Sequence, residues 1–453
     1  MNTQEMEENT LINCSIAKAL LFFVRPYLLS CLMQALYGLV DLYVVGLFYP
    51  SAITTAVSIG SQVTHMLTVI IVGIAMGTTV KIGNEAGRKD KESIGKTIGA
   101  TITLFSIIAV CLTLILMLFT KQITFLMLTP EEAAVHTNGY IRICFAGIPF
   151  IVAYNVISSI FRGLGDTKHP MYFVGIACFT NICLDFVFAG AFGLGAEGAA
   201  IATVCGQAVS VAVSLLMIKK MKMGYFISKE NLKPDRECVR KILNIGVPIA
   251  MQDGFIQISF LVITAIANDR GNTFAAGVGI VEKIICFLFL VPSSFLSAIS
   301  TITAQNIGAG KPERAVKALR YGLCITVGWG ILCACYCQLV PGTLIGLFSK
   351  DAEVIFAGCD YLRAYAIDCI FAAIHFCFSG YFCGCEKSTL SFIHNMISIV
   401  LIRIPGAYFA SLCFPKSLFP MGLAAPAGSL VSTLICAGFY YWSGQQKRKK
   451  LSF

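Results

Sequence analysis

The sequence predicts an all-α polytopic membrane protein of twelve spans arranged as two related six-helix bundles. Three observations carry that expectation. Only 13% of the residues are charged and the mean hydropathy is +0.78, whereas a soluble chain carries about 25% charged residues. Apolar runs of roughly 20 residues, the length that crosses a hydrocarbon core, recur along the whole length. The short connections between them alternate between basic and nearly uncharged.

Hydropathy places the spans near 17–46, 52–82, 95–120, 137–160, 170–191, 196–218, 241–267, 272–304, 315–340, 356–381, 388–413 and 420–443. The first contains Arg25, Pro26 and Asp41, so it reads as a membrane helix and not as a cleavable signal. A short acidic tail (Glu5, Glu7, Glu8) precedes it. Basic residues gather in alternate connections: Arg88, Lys89 and Lys91; Lys168; Lys219 to Lys241; Lys311 and Arg314; Lys387; and the tail Lys447 to Lys450. The others hold only Lys121, Arg270, Lys350 and Lys416. By the positive-inside rule both termini are cytoplasmic and the chain sits in the inner (cytoplasmic) membrane.

The net charge of +10 is therefore an orientation signal. It forms no basic stripe interleaved with aromatics, so nucleic acid is excluded as a partner. The 20 cysteines alternate along apolar runs, as at Cys333, Cys335 and Cys337, and read as small buried hydrophobes. Neither a disulfide framework nor a closed set of metal ligands is indicated. With no HExxH or GxSxG motif present, an enzyme is not expected.

The longest polar connection divides the chain six and six: an N-terminal lobe over 1–221, a cytoplasmic linker over 222–240 and a C-terminal lobe over 241–453. An internal repeat supports the division. Gly87-x4-Glu92 returns as Gly308-x4-Glu313, Tyr140-Ile-Arg142 as Tyr361-Leu-Arg363, and Phe161-Arg-Gly163 as Phe382-Cys-Gly384, each 221 positions later. Six spans per copy make the repeats parallel, a recurrent transporter plan with a binding cavity near the midplane. Prolines inside the spans (Pro26, Pro149, Pro248, Pro292, Pro405) remove helix hydrogen bonds and mark points of bending; Pro26 is the candidate hinge.

An ionisable residue at the centre of a membrane helix costs about 2.5–3.5 kcal/mol on insertion scales, so each needs a reason. The first half has Asp41 and Asp185, with Asn181 one turn before Asp185 on the same helix face. Counted at 1.5 Å per residue from Lys18 and Lys168, both acids climb roughly 25–35 Å into the outer half of the bilayer. Thr203, entering from outside, reaches the same level. Two carboxylates, an amide and a hydroxyl make an all-oxygen site for a proton or a hard cation such as Na⁺. Shifted by 221, Asn181 and Asp185 fall on Ile402 and Gly406, and Asp41, shifted by 221 or 222, falls on Val262 or Ile263. The scaffold was duplicated and the acids were not. Tyr37, Asn155, Gln257 and Glu282 are the candidate cavity residues; Asp253 and Asp368 are read as a structural pair.

These residues resemble the MATE (multidrug and toxic compound extrusion) family over nearly the whole chain. The resemblance rests on Pro26, the VDLYVVG segment at 40–46, Gly87-x2-Asp90-x-Glu92, Arg162-Gly-Leu-Gly-Asp166-Thr167, Asn181-x3-Asp185, and Gln305-Asn-Ile-Gly-Ala-Gly310. It implies two six-helix bundles around a V-shaped cavity. It also implies that Asp41, Asn181, Asp185 and Thr203 form an N-lobe cation site, coupled to release by bending at Pro26. One branch of the family carries acids in the seventh and tenth helices. Here the seventh reads Gly254-Phe-Ile-Gln257 and Asp368 lies a turn early, which points to the branch with the N-lobe site. The expected function is secondary export of lipophilic, often cationic compounds by a monomer, in exchange for H⁺ or Na⁺ and without a bound cofactor. A lipid-linked precursor flippase of the same superfamily and a major-facilitator drug/proton antiporter are the alternatives.

The topology is open to test. Cysteines introduced singly at Lys350 or Lys416 should react with a membrane-impermeant thiol reagent in whole cells, above the unsubstituted background. Cysteines at Lys89 or Lys311 should react only after permeabilisation; the reverse pattern would overturn the orientation.

Overall fold

The computed structural model describes residues 11–127, 129–221 and 235–451, with side chains to 442. The acidic tail, most of the linker and the side chains of Lys447 to Lys450 lie outside the described residues. Among the described residues the chain is helical and contains no strand. Ten helical spans are long and apolar enough to cross a membrane, and twelve if two sharply bent pairs each count as one. The protein is a multi-pass membrane protein.

In the first copy the helices are α1 (Ile16–Phe48), α2 (Ser51–Arg88), α3 (Lys91–Leu118), α4 (Glu131–Ala146), α5 (Ile148–Gly163), α6 (Lys168–Asp185) and α7 (Gly195–Lys220). The second copy contains α8 (Arg236–Asn268), α9 (Asn272–Leu288), α10 (Leu290–Gly308), α11 (Pro312–Leu339), α12 (Ala352–Tyr365), α13 (Asp368–Gly384), α14 (Ser388–Ile397), α15 (Ile404–Cys413) and α16 (Ala424–Leu451). Shorter helical turns occur in the connections.

The fourth span bends at Pro149, one of the prolines marked as points of bending, and the tenth bends as well. α4 and α5 meet at 50°, α12 and α13 at 45°. Pro149, in the first turn of α5, cannot donate to the preceding helix, which suffices to break it. The second break has no proline. There Asp368 opens α13, where an acid is favoured by the positive end of the helix dipole. The fifth and eleventh spans also depart from regular α-helix, through π-helical segments at Phe186–Ala191 and Ser398–Arg403.

The repeat is written in the backbone as well as in the motifs. Lys89 has φ 58° and Gly310 φ 71°; Gly165 has φ 91° and Glu386 φ 59°. Each pair is 221 apart. The loops close alike, with Asp166 N–H donating to Phe161 O at 2.9 Å and Lys387 N–H to Phe382 O at 2.8 Å. In each copy one member of the pair is not glycine, so these turns hold a side chain in left-handed backbone against a cost of roughly 1–2 kcal/mol. Asp90 caps α3 by accepting from Ser93 N–H at 3.0 Å. That bond, with one from the Ser93 hydroxyl, holds the Asp90 carboxyl below its usual range.

Packing divides the chain into two compact units. One, the amino unit, collects Phe22–Ala250 with Gly308–Gly310; the carboxy unit takes the remainder of the described chain. The boundary follows contacts and not the helix count, so α1 and α8 each change unit along their length. Each unit has its own apolar core. Tyr140, Phe145, Phe161 and Phe173 anchor the first, and Tyr361, Tyr365 and Ile285 the second. Large apolar side chains such as Leu118, Phe179, Leu216 and Leu339 are exposed, as lipid-facing surface must be. None of the twenty cysteines, all within the described residues, forms a disulfide.

Within the amino unit, α2 and the first half of α8 meet through glycine. A Cβ on Gly77 would stand 2.1 Å from Ile242 O, and one on Gly246 would stand 2.3 Å from Ile74 O. Only hydrogen fits between two helix backbones at that separation. Gly438, by contrast, has nothing within 4 Å of its virtual Cβ. Gly77→Ala should therefore destabilise by about 1–3 kcal/mol. Gly438→Ala should stabilise by about 0.5–1 kcal/mol through helix propensity. Thermal unfolding of the purified variants decides this, and shifts of the same sign would refute the close contact.

Candidate functional site

The acids expected in the membrane come together in the amino unit. Asp41 lies in the last third of α1, Asn181 and Asp185 lie one turn apart at the end of α6, and Thr203 lies in the first half of α7. Asp41 and Asn181 are each 2% exposed and Asp185 is fully buried. Gly206, one turn after Thr203, brings α7 onto α6: its virtual Cβ lies 3.2 Å from Asn181 Cβ. Any larger side chain there would push the amide away from the hydroxyl.

A short polar chain runs through the cluster. Asn181 Nδ2 donates to Thr203 Oγ1 at 3.4 Å, and Thr203 Oγ1 donates to Asp41 Oδ2 at 3.3 Å. Asp185 and Asn181 are the other polar neighbours of Asp41. Four buried oxygens remain without a partner: Asp41 Oδ1, Asn181 Oδ1, and both Oδ1 and Oδ2 of Asp185. Buried acceptors are nearly always satisfied, so four in one place define an unmet demand for a donor or a cation. The donor set is entirely oxygen, as a hard cation prefers. No cluster of three or more His, Cys, Asp or Glu suited to a transition metal occurs among the described residues.

Tyr37, one turn before Asp41, lies beside Gln207 of α7. Gln207 is a residue that sequence reasoning missed, and its Oε1 is buried without a partner. The available signal was its position one turn after Thr203. Asn155 is buried but directs its amide to Ile151 O of its own helix at 2.8 Å, so no hydrogen bond joins it to the acids. Gln257 and Glu282 belong to the carboxy unit. Asp253 and Asp368 do not pair: Asp253 accepts from Gln252 Nε2 at 3.5 Å, and Asp368 has Ser429 and Arg403 as its polar neighbours. They sit on different helices, and each meets the polar group nearest its own backbone.

Pro26 lies inside α1, and the loop between α5 and α6 grips the helix on both sides of it. Thr167 Oγ1 donates to Phe23 O at 2.9 Å. Lys168 Nζ lies 4.6 Å from the Phe22 ring centroid, and the Arg162 guanidinium lies 5.4 Å from that of Tyr27. Arg162 Nη1 also donates to the Tyr27 hydroxyl at 3.2 Å. The Arg-Gly-Leu-Gly-Asp-Thr motif is thus a clamp on the prolyl turn. At the other end of the helix Tyr49 donates to Ala189 O at 2.8 Å and accepts from Gly195 N–H at 3.1 Å. That hydroxyl fixes the π-helical segment following Asp185 against the start of α7.

The chain matches the MatE family model twice, over residues 26–187 and 248–409. The two matches are offset by 222, one position more than the motif pairs. Among curated proteins it is 25% identical over 441 residues to the probable multidrug resistance protein YoeA of Bacillus subtilis (strain 168), covering 96% of this chain and 95% of that one. It is 25% identical over 438 residues to the probable multidrug resistance protein YpnP of the same organism, covering 96% and 97%. A solved structure described as MATE in the bent conformation superposes with a TM-score of 0.91 at 21% identity over 100% of both chains. A helical architecture shared end to end and two copies of one family model lead to one assignment: the chain belongs to the MatE family.

Proposed function

We propose that this protein is a secondary active multidrug exporter that expels lipophilic, often cationic compounds in exchange for H⁺ or Na⁺ bound at Asp41, Asn181, Asp185 and Thr203. The single observation that carries the reading is the set of four unpartnered buried oxygens, three from the two carboxylates and one from the Asn181 amide. Two carboxylates this close in a low-dielectric interior do not both stay charged without a compensating cation. The names of the similar Bacillus proteins support the drug-export half of the proposal.

In this reading the coupling ion enters from the outer side and neutralises the acid pair. Thr203 then no longer has to donate to Asp41, and Asn181 is released with it. The change reaches α1, where Pro26 supplies the bend and the Arg162–Thr167–Lys168 clamp sets which conformer is held. The first lobe, 1–221, is the coupling lobe. The ion is lost on the cytoplasmic side, where both termini lie, and the monomer resets. Substrates are cationic and aromatic because carboxylates and Tyr and Phe faces attract such compounds.

Asp41→Asn removes one charge and keeps the shape. It should reduce drug export under an imposed proton or Na⁺ gradient by at least about tenfold, since a transport step is slowed tenfold by about 1.4 kcal/mol. Thr203→Ser, which keeps the hydroxyl, should retain most of the activity. The measurement is drug accumulation in everted vesicles at matched membrane expression. Export by Asp41→Asn at the wild-type rate under both gradients would sink the coupling role.

A further inference from the structure

The carboxy unit contains a second set of intramembrane charges, and it differs in kind from the first. Arg403 closes the π-helical segment of the eleventh span. Its guanidinium lies 4.7 Å from the Phe260 ring centroid on α8, and its Nη2 donates to the Tyr365 hydroxyl at 2.6 Å. Its Nε is buried without a partner. Thr264, one turn after Phe260 on the same helix, donates to Glu282 Oε2 at 3.1 Å, while Glu282 Oε1 is buried and unpartnered. Asp368, 2% exposed, follows Tyr365 by three residues and leaves its Oδ1 unpartnered as well.

The shared helices make these three charges neighbours. Phe260 and Thr264 lie on one face of α8, so the guanidinium over the first and the carboxylate bonded to the second are adjacent. Tyr365 and Asp368 bracket the 45° bend, and Asp368 is a second carboxylate neighbour of Arg403. Yet among the described residues Arg403 forms no ion pair. Opposite charges in a low-dielectric interior attract strongly, so charges that stay unpaired here, with Arg403 Nε, Glu282 Oε1 and Asp368 Oδ1 all unpartnered, leave an unmet demand of both signs.

We infer that this cluster is a second ligand site, built for a small lipophilic zwitterion whose carboxylate meets Arg403 and whose ammonium meets Glu282 and Asp368. A simple cation would face the guanidinium, and a simple anion would face two carboxylates. Only a ligand with both charges partners the free Nε and the free oxygens together. The repeat supports an acquired role. Shifted back by 221, Arg403, Glu282 and Asp368 fall on Ile182, Ser61 and Gly147, so the first copy has no such site. The inference deepens the export reading and rests on it only for the statement that ligands pass this unit; binding itself does not require transport.

The test uses the purified full-length protein in lipid nanodiscs and three probes of one skeleton: phenylalanine, phenethylamine and 3-phenylpropionate. Isothermal titration at neutral pH should give the zwitterion an affinity at least about tenfold above either single-charge probe, as expected where a charge-assisted bond is gained at each end. Arg403→Gln should lower phenylalanine to the level of phenethylamine, and Glu282→Gln should lower it towards 3-phenylpropionate. Arg403→Lys, which keeps the charge, should retain a preference for the zwitterion and serves if the glutamine variant does not fold. Equal affinities for the three probes in the wild type, or a preference that survives both Arg403→Gln and Glu282→Gln, would overturn the site. Asp41→Asn separates the two proposals. A protein that exports cations but shows no zwitterion preference loses this site and keeps the export function. A protein that binds the zwitterion without exporting loses export and keeps the site.

Discussion

Two carboxylates and an amide buried from water at one point, with four oxygens unsatisfied among them, set the terms for much of the amino unit. Leaving a charged group unpaired in a membrane interior costs several kcal/mol, and native folds accept such a cost only where something is bound or released. Asp41 and Asp185 therefore need rigid delivery from three helices, because a site that can relax finds its own partners and loses its demand for an ion. Gly206 brings α7 close enough to place Thr203 against Asn181. Tyr49 holds the backbone immediately after Asp185, where the helix has widened to a π-turn. Both features serve to keep the oxygens apart from alternative donors.

The same rigidity has to end somewhere if the site is to be felt elsewhere. α1 carries Asp41 near one end and Pro26 fifteen positions earlier. The prolyl turn lacks one helix bond, which makes it the compliant point, and the clamp from the loop before α6 acts on both sides of that turn. Thr167 takes a carbonyl, Lys168 and Arg162 take two aromatic faces. α6 starts at Lys168 and ends at Asp185, so one helix carries the clamp at its beginning and half of the acid pair at its end. A displacement of α6 would therefore be felt by α1 at two places. The connection is a rigid element with two contacts, which is the physical form that coupling between distant points requires.

Much of this was legible in the sequence, and what was not had physical causes. Acids in apolar runs announce themselves by their cost, and the turn-apart spacing of Asn181 and Asp185 put both on one face without any structure. Thr203 followed from counting depth. The clamp was visible only as a motif: its partners Phe22, Phe23 and Tyr27 lie some 140 residues away in the chain, and no local pattern links them. Gln207 escaped because an uncharged residue in a membrane helix carries no penalty large enough to draw notice, and Tyr49, in the connection after α1, because its partners lie about 140 residues away. The bend in the tenth span, which has no proline, was not legible at the resolution of a hydropathy window. Hydropathy averages over a window as long as the helix and cannot register a 45–50° break, although Pro149 was a local sign of the one in the fourth span.

The two copies show what duplication preserves and what it frees. The loop turns are kept so closely that left-handed backbone recurs at Lys89 and Gly310, and again at Gly165 and Glu386, with the glycine changing places between copies. A turn that persists with a lysine or glutamate in a glycine conformation is held by its surroundings, because the side chain itself opposes it. Nothing comparable holds the intramembrane charges. Their cost is local and can be lost by one substitution to an apolar residue, so a charge persists in a copy only while its own site has use for it. Asp41 and Asp185 survive in one copy, Glu282, Asp368 and Arg403 in the other, and neither set has a counterpart at the equivalent positions. Recurring loop turns with non-overlapping charges show a scaffold held in common while its intramembrane charges are set independently in each copy.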